Sequence, residues 1–242
     1  MKTRDLGLGT WITIGSPVVT EVVSNYGFDW LLFDLEHGCM SEEGMIANMQ
    51  AVRGAETKII VRVGELRHSL IGHALDYGAA GIMLPHVENA ATAREALEAM
   101  YYPPYGDRGL STSARSFGFG SRVPKDIAAM ERPLFMTQIE SYDGVMNAEE
   151  IAAVEGVDVL FVGPRDLGYE LSVRTAEKTM EMDEALQRVA AAASKHGKQA
   201  GILVRNVADL PKLREYGYTA LAAGSDLGML RAGYRELLKN FQ

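Results

Sequence analysis

The chain has 242 residues, 47% hydrophobic and 23% charged, with a formal net charge of −8 at pH 7. That length accommodates one large α/β domain with ample core. The acidic balance, with no Lys/Arg cluster to offset it, argues against a nucleic-acid partner.

The single cysteine, Cys39, excludes an internal disulfide framework and fits a reducing cytoplasm. No apolar run approaches the roughly 18 residues that a membrane span needs. The start, Met1-Lys2-Thr3-Arg4-Asp5, lacks the apolar segment of a signal peptide.

In chain order, apolar or β-branched runs stand at 10–14, 30–34, 59–63, 81–85, 134–139, 157–162, 200–204 and 219–223. Each is too short for a helix and too continuous for a strand with one wet face, so they predict strands buried on both faces. Between them, 17–26, 41–53, 69–77, 90–100, 146–154, 183–196, 207–216 and 227–239 carry apolar residues at three- and four-residue spacing and predict helices. Gly27, Gly78, Gly156, Gly197 and Gly217 follow such stretches, where a left-handed residue turns the chain back toward the next strand. Ser41 with Glu42 and Glu43 suits a helix start, although Gly44 stands where a capping carboxylate would complete the box.

The stretches 102–122 and 163–182 read as irregular, and loops that long in a compact domain tend to carry function. Eight βα units predict a single (β/α)₈ TIM barrel over residues 1–242. An open doubly wound sheet usually stops at fewer strands and needs a switch point.

A barrel of this kind builds its site at the C-terminal ends of the strands. There the chain places Asp34-Leu35-Glu36-His37, Arg62, Gln138-Ile139-Glu140, Gly163-Pro164-Arg165-Asp166 and Gly224-Ser225-Asp226. Charged groups at the ends of buried strands are costly unless they pair or bind a metal. Glu140 and Asp166, with no His-x-His or cysteine pair nearby, suit a hard divalent ion: Mg²⁺ or Mn²⁺, with Co²⁺ as a third candidate. The alternative is a helix-capping carboxylate or a salt bridge to Arg62.

Arg62 can clamp a carboxylate in two parallel hydrogen bonds, or form an ion pair with one of the rim carboxylates. His37 can serve as a general base or as a structural histidine. Asp76 reads as a surface residue near a helix C-terminus, where the dipole disfavours it. His86 follows the fourth strand and could reach the site, although packing is the stronger reading, and Cys39 reads as a bystander. Lys58 and Lys198 stand at strand starts, which leaves no strand-end lysine for a Schiff base.

The chain resembles the metal-dependent class II pyruvate aldolases that include 4-hydroxy-2-oxoheptanedioate and 2-dehydro-3-deoxyglucarate aldolases, with citrate lyase β-like proteins as distant relatives. The matching segments are Gly27-Phe28-Asp29-Trp30-Leu31-Leu32 into Asp34-x-Glu36-His37; Val61-Arg62-Val63; Leu75-Asp76-x-Gly78; Tyr102-Pro103-Pro104-x-Gly106-x-Arg108-Gly109; Gln138-Ile139-Glu140; Val154-Glu155-Gly156-Val157-Asp158; Gly163-Pro164-x-Asp166-Leu167; and Gly224-Ser225-Asp226-Leu227.

The resemblance implies a barrel whose last helix is exchanged between subunits of a homohexamer. It implies cleavage or formation of 4-hydroxy-2-oxo acids through a pyruvate enolate, from a small 2-oxo acid and an aldehyde. Glu140 and Asp166 would then hold the metal that pyruvate chelates, and Arg62 would stabilise the enolate oxygen. His37 would be the base and Asp76 its orienting carboxylate. Gln138, Gly163 and the backbone of Arg165 and Asp166 would line the pyruvate site. Other enolate reactions, such as oxaloacetate decarboxylation or condensation with an acyl thioester, stand as alternatives, as does a barrel that only binds a 2-oxo acid.

The chain departs from the family pattern at Arg165, where a small residue is usual, at Gly38-Cys39-Met40, and at Leu167-Gly168-Tyr169-Glu170. All three lie where the acceptor aldehyde would bind.

Overall fold

A computed structural model describes residues 5–52, 56–173 and 180–241. The strands are β1 (Leu8–Ile12), β2 (Trp30–Asp34), β3 (Lys58–Arg62), β4 (Gly81–Leu84), β5 (Leu134–Ile139), β6 (Val159–Val162), β7 (Gln199–Val204) and β8 (Tyr218–Ser225). Each pairs in parallel with the next, and β8 returns to β1, so the sheet closes into an eight-stranded barrel. The helices are α1 (Pro17–Ser24), α2 (Glu42–Ala51), α3 (His68–Tyr77), α4 (Ala90–Met100), α5 (Tyr142–Met146), α6 (Ala148–Ala152), α7 (Pro164–Val173), α8 (Met182–Lys195), α9 (Leu210–Glu215) and α10 (Asp226–Lys239). The predicted (β/α)₈ barrel is the fold observed.

The two-residue period of a strand divides the core in two. Trp11, Trp30, Leu32, Ile60, Met83, Met136, Val159 and Phe161 fill the barrel, while Leu31, Phe33, Val61, Ile82 and Leu160 face the helices. Each fully buried side chain of this kind contributes about 1.5–3 kcal/mol. Inside, Trp11, Trp30 and Phe161 meet with ring centroids 5.5–6.3 Å apart. Gly9 makes room for them: a Cβ there would lie 2.1 Å from the Trp30 ring.

Carried one step further toward the strand ends, the same period turns polar residues inward. Asp34 follows Trp30 and Leu32, Arg62 follows Ile60, and Gln138 and Glu140 follow Leu134 and Met136. All four are buried.

The five glycines predicted to end helical stretches all have positive φ. Ser41 completes its cap, since its Oγ accepts from the Gly44 amide at 3.2 Å. Three differences from expectation have a visible local cause. The first strand ends at Ile12 because Thr13 and Ile14 turn their amides to the Asp226 carboxylate, at 2.9 and 3.0 Å, rather than continuing the ladder. The predicted helix at 146–154 is instead α5 and α6. It starts earlier because Ser141 Oγ accepts from the Gly144 amide. The stretch 163–182 is not wholly irregular, because α7 occupies its first part; Pro164 at its start and Leu167 and Leu171 four apart are its helix signals. Arg53 and residues 174–179, on which parts of two expectations fall, lie outside the described residues.

α10 does not lie on the barrel wall. Asp226 is its one buried residue, and Leu227, Met229, Leu230, Tyr234, Leu237 and Leu238 are exposed. Part of the outer surface of β8 and β1 is correspondingly uncovered, with Leu8, Thr219 and Ala223 exposed while Leu221 and Ile12 are buried. Among the described residues no helix is long and apolar enough to cross a membrane.

Candidate active site

The pairing of β2 with β3 sets Asp34 opposite Arg62, both facing inward at the barrel mouth. Asp34 grips the guanidinium with both oxygens: Nε donates to Oδ1 at 2.9 Å and Nη2 to Oδ2 at 2.7 Å. Oδ1 also accepts from the amides of Glu36 and His37, so one carboxylate orients the arginine and shapes the turn after β2. Arg62 lies with its Cζ 5.7 Å over the Trp11 ring, which floors the site.

The free edge of Arg62 points to the remaining polar groups. Nη1 is 2.9 Å from Glu36 Oε2 and 3.5 Å from Gln138 Oε1. The contact with Glu36 is a close ion pair off the N–H direction, so that buried oxygen has no aligned hydrogen bond. Arg62 therefore pairs with the rim carboxylates, one of its two expected roles, and still presents one edge toward the mouth.

Glu140 closes β5. Its Oε1 accepts from the His86 amide at 2.9 Å, and its Oε2 accepts from Gln138 Nε2. Burial pushes the Glu140 carboxyl above its ordinary value, opposed by the His86 amide and ring and by Gln138, and helped by the nearby Glu36.

The ladder between β5 and β6 continues with the Gly163 amide donating to Ile139 O at 3.1 Å, which brings Gly163 beside Glu140. A Cβ on Gly163 would lie 2.6 Å from Glu140 Oε2 and 3.0 Å from Gln138 Nε2. Three residues on, Asp166 stands exposed in the first turn of α7 and makes no hydrogen bond or ion pair with a described residue. Arg165 beside it is also exposed and makes no ion pair with a described residue.

Asp34, Glu36, Glu140 and Asp166 thus gather at the mouth around the buried guanidinium of Arg62. Asp34 is fully engaged. Glu140 is a buried oxygen donor in surroundings that oppose its charge, and Asp166 is uncommitted among the described residues. That set fits a hard divalent ion with several positions left for substrate and water. Among the described residues no three acidic, histidine or cysteine side chains already converge on one centre.

His37 lies just beyond β2 with its ring exposed, Nε2 3.8 Å from Glu36 Oε1. His86 belongs to the mouth, the weaker of the two readings its sequence position allows. Its Nδ1 is 3.2 Å from Glu140 Oε1 and its Nε2 is 3.5 Å from Glu36 Oε1. Its position three residues after Met83, at the end of an apolar run, is the one sequence signal for this role.

Asp76 is not brought to His37 within the chain. It sits in the last turn of α3, eight residues beyond the His68 at its start, about 12 Å along the axis. There Arg108 Nη2 donates to Asp76 Oδ1 at 2.6 Å, and the Arg108 guanidinium lies 4.5 Å over the Tyr102 ring. Cys39 is exposed.

The HpcH/HpaI aldolase/citrate lyase family model matches residues 8–232. The chain is 39% identical to 5-keto-4-deoxy-D-glucarate aldolase of Klebsiella pneumoniae subsp. pneumoniae over 243 aligned residues, covering all of this chain and 94% of that one. Among solved structures it resembles an HpcH/HpaI aldolase/citrate lyase family protein of Burkholderia cenocepacia J2315, with TM-score 0.90 and 30% identity over 98% of this chain and 95% of that one. It also resembles a citrate synthase, with TM-score 0.82 and 27% identity over 98% of this chain and 93% of that one. With the barrel, its inward polar rim and these likenesses together, the chain belongs to the HpcH/HpaI aldolase/citrate lyase family and is a carbon–carbon lyase of the aldolase kind.

Proposed function

We propose that this enzyme reversibly cleaves a 4-hydroxy-2-oxo acid into pyruvate and an aldehyde at the barrel mouth, with a divalent ion held by Glu140 and Asp166. The observation that carries the proposal is the buried Arg62 guanidinium, clamped by Asp34, with its Nη1 edge at the mouth 2.9 Å from Glu36 and 3.5 Å from Gln138, which itself bonds Glu140. When bound, the ion supplies Lewis acidity that stabilises charge on the oxo group. Arg62 adds a fixed positive charge where the enolate oxygen develops, at no cost in reorganisation because Asp34 already holds it. Gln138 and the backbone from Gly163 to Asp166 position the 2-oxo acid. His37, exposed at the mouth, relays the proton of the 4-hydroxyl through water. The named relative's substrate, a sugar diacid, suggests an acceptor with its own carboxylate, and Arg165 is the cation available to it.

The family resemblance gives His37 an orienting partner in Asp76. Their separation within one chain means that such a pair forms only if Asp76 comes from a neighbouring copy. The exposed apolar residues of α10 and the uncovered part of β8 and β1 support a homo-oligomer in which α10 packs on another subunit.

The test is metal removal. Chelation and dialysis should abolish pyruvate release from 5-keto-4-deoxy-D-glucarate and from other 4-hydroxy-2-oxo acids. They should also abolish exchange of the pyruvate methyl protons with solvent, and Mg²⁺, Mn²⁺ or Co²⁺ should restore both. Full activity in the metal-free protein, or trapping of pyruvate on a lysine by borohydride, would overturn the proposal.

A further inference from the structure

We infer that His86 is a nitrogen ligand to the divalent ion assigned above to Glu140 and Asp166, an assignment on which this inference rests. Four observations converge on it. His86 follows β4 with φ 53°, a left-handed conformation uncommon for a residue with a side chain. That backbone is tied to the site by its own amide, which donates to Glu140 Oε1 at 2.9 Å. The ring returns to the same carboxylate, Nδ1 to Oε1 at 3.2 Å, and its other nitrogen faces Glu36 at 3.5 Å. Finally, the His86 side chain is 65% exposed where that of Glu140 is 2% exposed, so the imidazole covers the solvent side of a buried oxygen donor.

The spacing has a chemical meaning. Two donors in adjacent positions on an ion with bonds of about 2.1 Å stand about 3.0 Å apart. Nδ1 and Oε1, at 3.2 Å, are already close to that edge length. An imidazole added to two carboxylates changes what the site selects. Oxygen donors suit Mg²⁺ and Mn²⁺, whereas imidazole favours Co²⁺, Ni²⁺ and Zn²⁺. His86 therefore biases this site toward borderline transition ions.

The test compares Co²⁺ and Mg²⁺ binding to metal-free wild type, His86→Asn and Glu140→Gln by titration calorimetry. Asparagine tolerates the left-handed backbone, so the variant removes the imidazole without forcing the loop to move. We expect His86→Asn to weaken Co²⁺ by about tenfold or more and Mg²⁺ by less than about threefold. Imidazole ¹⁵N spectra supply a second readout: the His86 resonance, assigned by its absence from His86→Asn, should move on addition of Zn²⁺. Equal or no change for the two ions, or an unmoved His86 resonance, would overturn the inference. Glu140→Gln separates the two levels. If it binds both ions like wild type, the metal site itself is misplaced. If it abolishes binding while His86→Asn leaves both affinities intact, only the role of His86 falls.

Discussion

Asp34 and Arg62, directly opposite on β2 and β3, form a two-bond ion pair at 2.9 and 2.7 Å, and each side chain is more than nine-tenths buried. Removing one charge from such a pair leaves the other stranded, which costs about 3 kcal/mol even with Glu36 nearby. Asp34→Asn should lower stability by about that amount in urea unfolding. It should also lower kcat more than it raises KM, because a loosened guanidinium no longer waits where enolate charge develops. Wild-type stability and kcat together would show that the clamp has no role.

Gly163 has space for no side chain, because a Cβ there would press on Glu140 Oε2 from 2.6 Å. Gly163→Ala should displace the Glu140 carboxylate and weaken divalent-ion binding by about tenfold or more. The barrel should survive, since the strain falls on one side chain at the mouth. Calorimetry with Mg²⁺ and a thermal melt decide this. Unchanged metal affinity would mean that Glu140 is not a ligand, or that it yields without consequence.

His37 and Asp76 lie apart within the chain. If they act as a pair between subunits, His37→Ala and Asp76→Asn should each depress kcat, yet complement one another when co-expressed. Random mixing would reconstitute up to about a quarter of the sites, each drawing an intact histidine and an intact aspartate from different copies. No recovery in isolated mixed oligomers would remove Asp76 from the proton path and leave it as the anchor of Arg108.

The apolar residues of α10 should be buried in solution against another copy. Leu230→Glu with Leu237→Glu should shift the mass measured by light scattering toward the monomer and lower the melting temperature. An unchanged mass would show that α10 is not the contact.

Arg165 is exposed and makes no ion pair with a described residue, two residues past the glycine that abuts Glu140. Its guanidinium should favour acceptors with an anionic group. Arg165→Ala should lower kcat/KM for glyoxylate or succinic semialdehyde by about tenfold relative to a neutral aldehyde, the scale of one charge-assisted hydrogen bond. An unchanged ratio between acceptor types would reject this role.

The barrel was legible in the sequence because its period is local. Continuous apolar runs at 30–34 and 134–139 fall on β2 and β5 to the residue, and the same alternation that sends Leu32 and Met136 inward also brings Asp34, Gln138 and Glu140 to the mouth. The polar strand ends therefore follow from the order of residues along each strand. What hydrophobic period cannot report is which distant groups meet once the sheet closes. Asp226 reaches back across the β8–β1 seam and ends the first strand at Ile12. His86 owes its place to a positive φ and to an amide bond with a carboxylate 54 positions away. Asp76 is directed away from the mouth by the length of α3 and taken by Arg108. α10 has the amphipathic pattern of a wall helix and yet stands clear of its own barrel. The strands, most of the helices and the inward polar rim thus follow from local residue order. The tertiary structure decided the partners of each rim group, because pairing across the barrel depends on distances that no stretch of neighbouring residues contains.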